Sequence, residues 1–139
     1  MSSAALWQDV NLADVNPNFE KIPAGEYDMD LLPGARYTER GEIKVAFSIT
    51  KGEETGRMVF ASYPDPRKFD WSPKALKSLE VALGVESVPG EDKVEWLNRA
   101  VRDGGGHVHG RVVHRPYTKK SGESEISVDL KLFSLRAAV

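Results

Sequence analysis

From Glu26 onward this chain reads as five extended runs, several with apolar residues at every second position, and only between the third and fourth runs do the apolar residues switch to three- and four-residue spacing. Alternation is what a strand with one buried face produces, and the longer period is what a helix lying on a core produces. The order is therefore three strands, a helical block and two strands.

The first run begins at about Glu26, where Tyr27, Met29 and Leu31 alternate with Asp28 and Asp30 and Pro33-Gly34 bends the chain. In the second, Ile43, Val45, Phe47 and Ile49 share one face and Glu42, Lys44, Ser48 and Thr50 the other. After a glycine-flanked loop, Arg57 to Tyr63 forms the third, ended by Pro64 and Pro66. Ser72-Pro73 reads as an N-cap with proline in the first helical position, and Leu76, Leu79 and Leu83 precede a capping Gly84. A second helix is predicted from Asp92 to Asp103, where Gly104-Gly105-Gly106 stops it. Strand four runs from about His107 to Tyr117, and strand five carries Ile126, Val128, Leu130 and Leu132 on its buried face.

This order predicts a mainly β protein with one or two helices: an OB-like five-stranded Greek-key barrel with a helix between strands three and four. In that architecture strands two and three, with the loops after strands one and four, take oligonucleotides or oligosaccharides. At 139 residues, 40% hydrophobic and 29% charged, the chain has the size and composition of one folded domain, residues 1–139. Residues 1–24, with spaced apolar residues from Leu6 to Ile22, are expected to pack on the barrel as an N-terminal arm. The absence of cysteine excludes disulfides, thiolate metal sites and thiol catalysis, and suits a cytoplasmic location. No apolar run reaches the roughly 20 residues of a membrane helix, and no membrane partner is expected.

A net charge of -2 conceals an uneven distribution. Residues 1–30 carry six acids against Lys21, whereas Gly104 to Gly122 contains no Asp or Glu but holds Arg111, Arg115, Lys119, Lys120 and all three histidines. Single-stranded nucleic acid requires cations that replace condensed counterions and flat rings on which unpaired bases stack. Candidates are Arg36, Tyr37 and Arg40 after strand one, Lys44 on strand two and Arg57 and Tyr63 on strand three. Trp71 either joins them by stacking on a base or staples the helix that starts at Ser72, and Arg111, Arg115 and Tyr117 on strand four with Lys119 and Lys120 beyond it complete the set. Period two puts His107, His109, Arg111, Val113, Arg115 and Tyr117 on one face. Phe19, Phe47, Phe60, Phe69, Trp7 and Trp96 are assigned to packing, since large aromatics dominate cores. His107-Val108-His109 could aim two imidazoles at one metal, but His114 falls on the opposite face and the segment supplies no carboxylate, so no metal or other cofactor is expected. Neither a phosphate-binding glycine loop nor a Ser-His-Asp set stands out, and no enzymatic activity is expected.

Three stretches carry a family resemblance: Phe19 with Ile22-Pro23-Ala24-Gly25-Glu26-Tyr27; Ile43 to Ile49; and Gly52 with Gly56-Arg57-Met58-Val59-Phe60, followed by the helix ending Leu83-Gly84. In these, about half the chain resembles small phage-encoded single-stranded DNA-binding proteins with an OB-like fold. The resemblance implies a protein that coats single strands without sequence preference during phage DNA replication or recombination, in the host cytoplasm, alongside other replication or recombination proteins. Bacterial single-strand binders of similar fold commonly end in an acidic tail. Here the last residues are Phe133 to Val139, so recruitment through such a tail is not expected. The exposed strand edge of an open barrel is suited to forming a homodimer. The alternative is an OB-type protein-interaction or virion-associated module that binds no nucleic acid.

Overall fold

The computed structural model describes residues 3–14 and 21–138. Seven strands form one antiparallel sheet: β1 (Gly25–Leu31), β2 (Arg36–Tyr37), β3 (Ile43–Ile49), β4 (Met58–Tyr63), β5 (His107–Thr118), β6 (Ser124–Leu130) and β7 (Arg136–Ala137). The three helices are α1 (Ser3–Trp7), α2 (Trp71–Leu83) and α3 (Lys93–Arg102). The sheet order is β2-β3-β1-β5-β6, with β4 on the other edge of β3 and β7 on β5. β4 and β6 approach one another, but no ladder joins them, so the sheet is not closed by hydrogen bonds.

Alternation decides which side of each strand is buried. Ile43, Val45, Phe47 and Ile49 of β3 face inward with Met29 and Leu31 of β1, Val59, Ala61 and Tyr63 of β4, and Val108 and Val112 of β5. A buried aliphatic or aromatic side chain contributes about 1.5–3 kcal/mol by leaving water, whereas an exposed ion pair contributes about 0–1 kcal/mol. The strand faces, not the charges, therefore fix the fold. Gly110 sits among these inward positions because a Cβ there would lie 2.8 Å from Leu135 and 3.1 Å from both Leu130 and Met29.

β1 and β2 are two halves of one interrupted strand. Pro33-Gly34 breaks it, Gly34 adopting φ 100, and the chain then rejoins β3 with Arg36 opposite Lys44. Arg36 and Tyr37, expected in a loop, thus belong to a short strand created by pairing. The interruption is anchored from outside: Asn98 Oδ1 accepts from Gly34 N at 3.2 Å, and Tyr37 donates its hydroxyl to Asp92 at 2.6 Å.

Both predicted helices are present. α2 buries Ala75, Leu79, Ala82 and Leu83 and ends at Gly84, whose φ of 70 is readily adopted by glycine. α3 is capped by Asp92, which accepts from Glu95 N, and buries Trp96, Leu97 and Ala100. The start of α2 differs from the sequence expectation: it begins at Trp71, and Ser72 is buried, donating Oγ to the Pro64 carbonyl at 2.6 Å instead of capping. Pro73 is tolerated because the first-turn N–H groups have no helical partner in any case.

The fifth run is buried only at its end. Leu130 is buried, whereas Ile126 is exposed and Leu132 lies in a 3-10 turn spanning Leu132–Ser134, because β5 and β6 continue past the core as a two-stranded ribbon. In the leader Ile22 is buried and its carbonyl accepts from His114 Nε2 at 2.7 Å, but Leu6, Trp7, Val10 and Leu12 are exposed. The arm expected to pack along its length thus does so at Ile22 and not at these four residues. Val15, Pro17 and Phe19 lie outside the described residues.

Candidate nucleic-acid interface

The outward faces of β2, β3 and β4 carry a cross-strand row, Arg36 opposite Lys44 and Lys44 opposite Ser62, with Ala46 opposite Phe60 in the next row. Like charges placed directly opposite on a sheet destabilise it. Among the described residues neither Arg36 nor Lys44 has an ion-pair partner to offset that cost.

These two rows form one wall of a groove of about 680 Å³. Trp71 lines it at the head of α2, and Leu132 and Phe133 of the 3-10 turn, Arg115 of β5 and Asp129 of β6 complete it. Three aromatic rings are therefore open to solvent around one depression: Phe60 at 67% exposure, Phe133 at 60% and Trp71 at 39%. Trp71 is steadied by Phe69, with ring centroids 6.1 Å apart and planes at 61°. Arg115 is the groove's third cation, and its Nε donates to Asp129 Oδ2 at 2.9 Å. The arrangement offers flat apolar rings beside positive charge.

Of the residues predicted from sequence, Arg36, Lys44, Trp71 and Arg115 meet at this groove. Tyr63 does not: it is 2% exposed on the inward face of β4, and burial raises its hydroxyl pKa, so it packs in the core and no base can stack on it. Tyr37 is half exposed but ties β2 to α3 through Asp92, and Arg40 lies in the turn before β3. Arg57 precedes β4 and pairs with Glu54 at 2.7 Å. Tyr117 and Lys119 lie along the ribbon, both bonded to Glu125, at 3.0 Å each, which lowers the Glu125 pKa chiefly through Lys119; Lys120 stands at the ribbon tip. Phe60, assigned to packing from its type, is instead the most exposed ring of the groove. Phe69 is likewise exposed, whereas Phe47 and Trp96 are core residues as expected. Phe133 gave no sequence signal, because it follows the last long strand in an irregular turn.

The positive stripe on β5 is largely neutralised where it crosses β1. Asp30, Asp28 and Glu26 stand directly opposite His107, His109 and Arg111. His107 Nδ1 donates to Asp30 at 2.5 Å and His109 Nδ1 to Asp28 at 2.8 Å. The His109 hydrogen bond, followed by that of Lys51, holds the Asp28 carboxyl below its ordinary pKa. The carboxylates missing from residues 104–122 are thus supplied by the acidic end of the chain, and Arg111 lies on this mixed-charge surface, away from the groove. Among the described residues no group of three His, Cys, Asp or Glu side chains is placed to hold a metal ion, and no helix is long and apolar enough to cross a membrane.

No protein-family model matches the chain, and no match is found among curated proteins.

Proposed function

We propose that the groove binds single-stranded DNA without sequence preference, and that the protein coats or protects single strands during phage DNA replication or recombination. The observation that carries this reading is the unneutralised Arg36–Lys44 pair beside the exposed Phe60 ring. Such a pair costs stability unless an anion occupies it, and an exposed phenylalanine costs burial unless something flat covers it. A strand of unpaired nucleotides supplies both: phosphates for the cations and base faces for Phe60, Trp71 and Phe133. A duplex offers phosphates only, because its base faces are already stacked.

The architecture supports the same reading. Taken as one strand, β1 with β2 gives the order strand, β3, β4, helices, β5, β6 of an OB-like barrel left open between β4 and β6, with the groove on the second and third strands. The open seam also favours a second reading, an extended peptide adding to the unlaced edges of β4 or β6, as in a protein-interaction or virion module.

Fluorescence anisotropy with labelled oligo-dT, duplex DNA and oligo-U, titrated side by side, separates the two. Single strands are expected to bind more tightly than duplex at equal salt. An equal or stronger response to duplex removes the stacking role of the rings, and no response to any of the three leaves the peptide reading.

A further inference from the structure

We propose that Asp129 limits how tightly the groove holds a single strand, because its carboxylate occupies, on Arg115, the place that a phosphate would take; the proposal rests on the single-strand reading above. Among the described residues Arg36 and Lys44 have no ion-pair partner, whereas Arg115 has one. Its Nε donates to Asp129 Oδ2 at 2.9 Å, and Ser127 Oγ donates to Asp129 Oδ1 at 3.0 Å, so both carboxylate oxygens are held. The sheet register fixes this placement: Asp129 is opposite Val113 and Ser127 opposite Arg115, which puts the short Asp129 side chain diagonally beside Arg115 on one face. The Asp129 side chain is 32% exposed and that of Arg115 73%, so the cation is the member of the pair more accessible to an incoming strand.

An exposed pair of this kind is itself weak, so a phosphate can displace the carboxylate. Displacement, however, leaves Asp129 unpaired beside another anion within the same groove, and that repulsion persists for as long as the strand is bound. Asp129 therefore lowers affinity and speeds release without blocking entry. A coating protein has use for such a group, since any enzyme that next copies or pairs the strand must remove the coat. Glu125 provides an internal comparison. It holds Lys119 in the same manner at 3.0 Å, but on the ribbon and not among the residues that line the groove.

The test measures anisotropy of labelled oligo-dT against wild type, Asp129→Asn and Glu125→Gln over a salt series, with thermal melting of each protein. Both substitutions remove one negative charge. Asp129→Asn is expected to tighten binding about fivefold at low salt and to steepen the logarithmic salt slope, because the repulsion it removes is strongest where salt screens it least. Glu125→Gln is expected to change affinity less than about twofold, as a distant screened charge does. If wild type binds and Asp129→Asn leaves affinity and slope unchanged or weakens them, the proposal is overturned. Equal tightening by both variants also overturns it, because net charge would then explain the gain. Failure of wild type and both variants to bind removes the single-strand reading and this inference together. Should Asp129→Asn melt well below wild type, Asp129→Ser, which keeps a short polar side chain, carries the same expectations.

Discussion

A phenylalanine ring that is 67% exposed on a strand has forgone most of the burial that such a residue usually supplies, and the proposed single-strand reading rests on Phe60 for that reason. Phe60→Ala is expected to weaken oligo-dT binding by on the order of 1–3 kcal/mol while shifting folding stability by less than about 0.5 kcal/mol. Anisotropy and denaturant titration of the same sample check both, and a stability loss without an affinity loss would return Phe60 to packing. Tyr63, three residues on, is its opposite: buried, with a hydroxyl that has no hydrogen-bond partner among the described residues. Removing an unsatisfied buried polar group relieves a penalty of about 1–3 kcal/mol, so Tyr63→Phe should leave binding unchanged and leave the melting temperature equal or higher. A lower affinity would contradict the core placement of Tyr63. In the structure the strand separates buried Val59, Ala61 and Tyr63 from exposed Met58, Phe60 and Ser62, a division that the consecutive apolar residues 58–61 do not show by themselves. Residue type misdirects within that pattern, since a tyrosine near basic residues reads as a ligand-binding ring and a phenylalanine as core. The serine on the Phe60 face is the signal that resolves it.

At the scale of elements, the Gly84 cap, the start of α3 at Asp92 and the alternation of β3 were legible because they depend on neighbours in the chain, whereas the cap read at Ser72 failed because its hydroxyl is drawn to the Pro64 carbonyl. Gly84 and Asp92 end and begin helices where their chemistry predicts, and β3 spans the most regular alternating run. β2 was not legible, because a two-residue strand exists only through pairing with β3 and through the hold of Asn98 and Asp92 on its flanks. The helical layer that supplies those anchors is itself tied by carboxylates. Glu80 accepts from Ser87 N at 3.0 Å and Ser87 Oγ at 2.6 Å and bonds Lys77, which together bring its pKa from 4.5 to about 2, with the Lys77 contact the largest cause. The folded value lies below the unfolded one, so the unfolded chain binds more protons across this interval. The contribution is complete above about pH 4.5 and is lost as pH falls towards 2. Glu80→Gln should accordingly reduce stability at pH 7 and narrow the difference from wild type between pH 4.5 and 2, read by denaturant unfolding at each pH. A constant difference across that range would show that the Glu80 charge contributes nothing.

Across the whole molecule, the sheet brings together segments that are some eighty residues apart, and that is where charge counted along the chain fails. The acids of β1 stand against the histidines and Arg111 of β5, while the groove gathers Arg36, Lys44 and Arg115 from three strands and its rings from β4, α2 and the last turn. Convergence of some predicted cations with solvent-exposed rings was expected from the strand order; which cations remained unpaired depended on cross-strand register, which separate runs do not reveal. The most direct test of the account is the salt dependence of oligo-dT binding by wild type, the Arg36→Ala/Lys44→Ala double variant, and Arg111→Ala as a control outside the groove. With about 0.7 per phosphate contact, wild type is predicted to show a logarithmic slope of about -1.4 or steeper, the double variant a slope flatter by about 1.4, and Arg111→Ala the wild-type slope. Wild-type binding whose slope is unchanged in the double variant, or flattened as much by Arg111→Ala, would contradict the assignment of the groove.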